Sequence, residues 1–125
     1  MNANLTIVLQ ALKKSPLAAR VKVFGSYAKQ MPDPKDIDVV VEFSVLPTDS
    51  ERAELNRLLS LARHHYGVLD IFVLQPHSPL LVRNDLATGW QRAKNATQIK
   101  LAIKNDGILL DDIAFPPKTR AFPRR

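Results

Sequence analysis

The sequence predicts an α/β (α+β) domain, a small mixed sheet with helices mainly on one face. Three observations predict it. Short Val/Ile-rich runs at residues 20–24, 37–43 and 68–74 alternate with longer stretches of helical period at 4–14, 50–65 and 87–105. Clusters of Pro, Gly, Ser and Asp punctuate the chain between them. At 125 residues and 46% apolar content, the chain can build one core of its own.

Taken in order, "NLTIVLQALKK" (4–14) is an amphipathic helix with Leu5, Val8, Leu9 and Leu12 on one side. Lys13 and Lys14 suit its C-terminal end. Ser15-Pro16 marks a turn or a new helix start. Residues 20–24 are a strand, and 26–31 a short helix starting right after Gly25. Pro32, Asp33 and Pro34 break the chain. Ile37 to Phe43 is the second strand. "TDSE", Thr48 to Glu51, has the form of a capping box and opens a helix over 50–65, with Leu55, Leu58, Leu59 and Ala62 at helical spacing and Gly67 closing it. "VLDIFVL", Val68 to Leu74, is a third strand. Residues 75–83, with Pro76 and Pro79, fit no single element. Residues 87–105 are expected to be one helix with Trp90, Ala93, Ala96, Ile99, Ala102 and Ile103 facing inward and Gly107 stopping it. "ILLDD" is a last short strand. The domain is expected to cover 1–112, and the basic, Pro-rich stretch 113–125 to be an irregular tail.

Composition narrows the function. With no cysteine, disulfides and thiolate metal sites are excluded. No apolar run reaches bilayer length and no leader pattern opens the chain, so no membrane role and a cytoplasmic location are expected. The net charge of +6 and pI near 9.9 suit polyanions: nucleotides, nucleic acid or an acidic protein.

The informative stretch is "VKVFGSYAKQMPDPKDIDVVVEF", Val21 to Phe43. Residues i and i+2 of a strand share a face, so Asp36 and Asp38 project together, about 7 Å apart at Cα. Ile37, Val39 and Val41 point the other way, into the core. Two close carboxylates repel unless a cation lies between them, and Mg²⁺ takes oxygen ligands of this kind. Asp70 lies opposite Leu69, Ile71 and Val73 on its own strand. If that strand neighbours the second, Asp70 joins the pair, and three carboxylates can hold two Mg²⁺ ions. Gly25 permits close backbone approach, Ser26 opens a short helix whose free N–H groups favour phosphate, and Lys29 adds charge one turn on. The whole suits chemistry on a nucleoside triphosphate.

"GSYAK", "DID" and "LDIFVL" resemble the motifs of the minimal nucleotidyltransferases, within the DNA polymerase β-like superfamily. The resemblance covers about residues 20–112, and "IKLAIKNDGILLDD" is similar to that family's closing helix, glycine and last strand. It departs from the pattern at Lys35, where a Ser often precedes the first Asp, and at Lys29-Gln30, where Arg-Gly is common. The resemblance implies the nucleotidyltransferase fold and transfer of a nucleoside monophosphate from an NTP, ATP first among them, with Mg²⁺ held by Asp36, Asp38 and Asp70. Stand-alone members often act as antitoxins beside a helical toxin of the HEPN class, and some adenylylate it. That makes such a toxin an expected partner. A contact-only antitoxin and a basic nucleic-acid-binding protein are the alternatives.

Other features carry plainer readings. Asp36 alone is a strand-start surface charge, and Gly25 and Ser26 also serve as a turn glycine and a helix cap. Glu42 is a solvated strand residue. His64 and His65 diverge by about 100° on a helix and do not chelate one ion. Trp90 packs on the core. No G-x-G-x-x-G, Walker A or H-E-x-x-H motif occurs.

Overall fold

The computed structural model describes residues 3–25, 37–63, 69–84 and 89–112, with side chains from Leu9 onward in the first helix and up to Ser60 in the second. Among these residues the chain forms helix α1 (Ala3–Lys14), strands β1 (Arg20–Phe24) and β2 (Ile37–Glu42), and helix α2 (Asp49–Arg63). Strands β3 (Leu69–Leu74), β4 (Leu81–Asn84) and β5 (Gln91–Arg92) follow, then helix α3 (Ala96–Asp106), strand β6 (Ile108–Leu109) and a 3-10 turn, Leu110–Asp112. The six strands form one mixed sheet in the order β5-β4-β3-β2-β1-β6. Only β2 and β3 are parallel, and α2 is the crossover between them. The expected α+β architecture with a mixed sheet is present.

The period-two pattern sorts the central strands. Val23, Ile37, Val39, Val41, Leu69, Ile71 and Val73 face a core completed by Leu9 and Leu12 of α1 and by Leu55, Leu58 and Leu59 of α2. The opposite face carries a second cluster of Phe24, Val40, Phe72 and Leu80, covered by Ile103 of α3 with Ala96, Ile99 and Ala102 packed around it. Two helices therefore share one face, and α3 takes the other. This explains the unbroken Val39-Val40-Val41 run. In a central strand covered on both faces, alternation gives way to continuous apolar sequence.

The capping box at the start of α2 is reciprocal: the Glu51 N–H donates to Thr48 Oγ1 at 3.1 Å and the Thr48 N–H to Glu51 Oε1 at 3.0 Å. Glu51 also accepts the Ala18 N–H at 2.9 Å, and Glu54 accepts the Ser15 hydroxyl at 2.7 Å, so α2 pins the connection after α1. The N–H groups of Thr48 and Ala18 hold the Glu51 carboxyl below the usual range.

One stretch left open gains an element, and one expected helix is corrected. The ambiguous stretch 75–83 turns and enters β4, which pairs antiparallel with β3. The helix expected over 87–105 begins only at Ala96. Residues 91–92 form β5 against β4, the Ala93 N–H donates to Leu80 O at 2.8 Å, and Asn95 sits in the left-handed region at φ 56. Trp90 thus reaches the α1/α2 core from outside the helix, its Nε1 donating to Asn56 Oδ1 at 3.3 Å. Its spacing to Ala93 and Ala96 reads as helical, but pairing with the β4 edge prevails. Gly107 does end α3, its N–H returning to Ile103 O at 2.9 Å. The "ILLDD" strand is two residues long before the 3-10 turn takes over.

Candidate functional site

The site is built at the end of the sheet where β2 and β3 begin. Asp38 is the second residue of β2 and Asp70 the second of β3. The parallel register sets them opposite one another, with Asp38 paired to Asp70, Phe24 to Asp38 on one side and Asp70 to Asn84 on the other. One rung of the sheet therefore reads Phe24, Asp38, Asp70, Asn84. Neighbouring strands lie about 4.8 Å apart, so two half-buried carboxylates project side by side from the α3 face. Beside them the Phe24 and Phe72 rings meet at 5.3 Å between centroids, an apolar floor that strengthens electrostatics nearby.

Gly25 closes the site from β1. Its φ is 77, which favours glycine, and a Cβ added there would stand 2.7 Å from Asp38 Oδ2. The turn after β1 and the first acidic side chain are therefore in contact, and the missing side chain leaves the space beside Asp38 Oδ2. Asn84 closes it from β4: its Nδ2 donates to Asp70 Oδ1 at 2.8 Å and lies 3.4 Å from Leu69 O. Asp70 thus has one oxygen held and its carboxylate plane set.

Of the residues singled out from sequence, Gly25, Asp38 and Asp70 come together. Asp36, Ser26 and Lys29 lie outside the described residues, as do Lys35, His64, His65 and the 113–125 stretch. Both anchors of the 26–36 segment, Gly25 and Ile37, stand at this same end of the sheet. Among the described residues no group of three or more His, Cys, Asp or Glu converges, and Asp36 is not among them. Two carboxylates on one rung, with oxygen atoms as the only donors, suit a hard divalent cation such as Mg²⁺. Glu42 differs from its expected solvated state. Its side chain is 19% exposed and pairs with Lys22 Nζ at 3.4 Å.

Asn84 is the residue that sequence reasoning missed. It ends the short strand β4, one residue past the stretch that fitted no element. Its signal, an Asn after "LLVR", becomes legible only once β4 is known to pair with β3.

A family model described as Family of unknown function (DUF6932) matches residues 1–109. The chain belongs to the DUF6932 family. The match takes in all of the DUF6932 chain's site, from Gly25 to Asn84. No curated protein matches the DUF6932 chain. Among its described residues no helix is long and apolar enough to cross a membrane.

Proposed function

We propose that the chain is a Mg²⁺-dependent nucleotidyltransferase that moves a nucleoside monophosphate from an NTP to a hydroxyl acceptor, with a partner protein of the HEPN class as the acceptor in question. The observation that carries the reading is the Asp38–Asp70 rung, with Gly25 against Asp38. A fold that needed only stability would not set two carboxylates opposite each other in adjacent strands, because like charges directly paired are destabilising. When bound, Mg²⁺ neutralises phosphate charge and acidifies an acceptor hydroxyl.

The remaining roles belong to side chains and backbone. Gly25 lets the triphosphate approach the end of β1, and Ser26 and Lys29 take phosphate oxygens. Asp36 and Asp38 would hold Mg²⁺ at the triphosphate. Asp70, its Oδ1 accepting from Asn84, would hold Mg²⁺ beside the acceptor and take the hydroxyl proton. The acceptor oxygen bonds to the α-phosphorus, the bond from that phosphorus to the bridging oxygen breaks, and pyrophosphate leaves. Positioning and charge complementarity supply the rate.

The test is transfer of label from α-³²P-ATP to a co-purified or co-expressed partner. Asp38→Asn and Asp70→Asn, both folded by circular dichroism, abolish it. Undiminished labelling in either variant overturns the reading, and silencing of a partner by both variants assigns the activity to contact alone.

A further inference from the structure

A second charged site lies on the same face at the other end of the strands. Glu42 is four residues beyond Asp38 along β2, roughly 13 Å away, with the Phe24, Val40 and Phe72 cluster under α3 intervening. There a cleft of about 370 Å³ opens between β1 and α3, lined by Arg20, Lys22, Lys100 and Lys104 together with Glu42 and apolar neighbours. Four cations thus surround one carboxylate.

Each wall has its own reason for the alignment. Arg20 and Lys22 are two residues apart on β1 and share its α3 face. Lys100 and Lys104 are one turn apart on α3 and share one side of the helix. Lys22 lies along the floor: its Cδ is 3.3 Å from the point where a Gly107 Cβ would stand, and its Nζ pairs with Glu42. Glu42 therefore pairs with the half-buried cation, while Arg20, Lys100 and Lys104 are exposed and form no ion pair among the described residues. Lys104 also complements the C-terminal end of α3. Arg20 stands directly across the β1–β2 pair from Glu42, but one carboxylate faces four cations, Lys100 has no such account, and like charges drawn to one cleft repel unless an anion enters it.

We propose that this cleft binds an oligophosphate, either a free polyphosphate or the phosphate chain of a nucleotide. Its volume exceeds what a single small ion needs and lies in the range of small-ligand pockets. Arg20 supplies a planar fork for oxyanion pairs, and the lysines supply point charges to successive phosphates. The site is separate from the acidic rung and needs no metal, since its charge is already positive.

The experiment is calorimetric titration of the full chain with inorganic tripolyphosphate in EDTA, where the acidic end repels the probe. Binding is expected in the wild type. It weakens tenfold or more in Lys100→Ala/Lys104→Ala and in Arg20→Ala, each checked for fold by circular dichroism. The charge-matched control Lys14→Ala/Lys94→Ala retains wild-type affinity. ATP in EDTA is the second arm: equal affinity identifies the phosphate chain as what is recognised, and tighter binding lost in the same variants identifies a nucleotide. Absence of binding, or equal weakening in the control, overturns the proposal. So does length-dependent binding of a single-stranded oligonucleotide that depends on the same residues and far exceeds tripolyphosphate, since the occupant is then a nucleic-acid strand.

Discussion

Asp38 and Asp70 occupy the same rung of the one parallel strand pair among the described residues, two half-buried carboxylates side by side. Their repulsion has a thermodynamic consequence. On the proposed reading, Mg²⁺ binds the folded pair and not the unfolded chain, and would stabilise the fold by linkage, by about 2.7 kcal/mol at a hundred times its Kd. We expect millimolar Mg²⁺ to raise the wild-type Tm by several degrees. Asp70→Asn relieves the repulsion and removes a ligand, so its Tm without Mg²⁺ equals or exceeds that of the wild type, and Mg²⁺ no longer raises it. Thermal melts with Mg²⁺ and with EDTA check this.

Gly25→Ala tests the contact between the turn and Asp38. The substitution forces a side chain into the left-handed region and sets a methyl against Asp38 Oδ2. The expected cost is about 1–3 kcal/mol. The nucleotide-transfer rate is expected to fall by more than the stability loss explains, because Asp38 must move. Comparison of labelling well below both Tm values separates the two effects.

Asn84→Ala tests positioning. Asp70 loses a donor at 2.8 Å. The expected stability loss is about 1 kcal/mol. Transfer is expected to drop roughly 10–100-fold, as when groups orienting a ligand carboxylate are removed. A purely structural Asn84 would leave the Mg²⁺ dependence of the rate unchanged, whereas a positioning role shifts it to higher Mg²⁺. Asn84→Ser keeps a donor and recovers part of the loss.

Acid stability is expected to depend on Glu54. Its hydrogen bonds from Arg57, at 2.8 Å, and from Ser15 outweigh the effect of burial and lower its pKa to about 2. A carboxyl depressed in the folded state stabilises above its unfolded pKa and loses that contribution as pH falls through the folded value. The contribution is therefore full at neutral pH, declines below about pH 5 and is gone once the pH has fallen below about 2. Glu54→Gln is less stable than wild type at pH 7, and the two converge at low pH. Urea melts across that range measure the difference. Screening at the exposed Arg57 keeps the effect modest.

Much of this molecule is readable from short windows of chain. The short Val/Ile-rich runs "DIDVVVEF" and "LDIFVL" mark strands, and counting by twos from the aspartate near the start of each tells which residues face the α1/α2 core. It also assigns Asp38 and Asp70 to the opposite face, because side-chain direction repeats every two residues whatever the strand pairs with. "TDSE" marks the start of α2, because a capping box closes its hydrogen bonds within four residues. Local chemistry suffices for each.

Pairing is another matter. That β3 lies beside β2 in a register opposing Asp38 to Asp70, that β4 brings Asn84 to Asp70, and that residues 91–92 join the sheet instead of α3 are choices among distant partners. The basic cleft likewise joins β1 to a helix some eighty residues later. Such contacts are settled by the free energy of the whole chain. The burial each partner brings is weighed there against alternatives that no single stretch contains, and a weak local preference, like the helical spacing of Trp90, gives way.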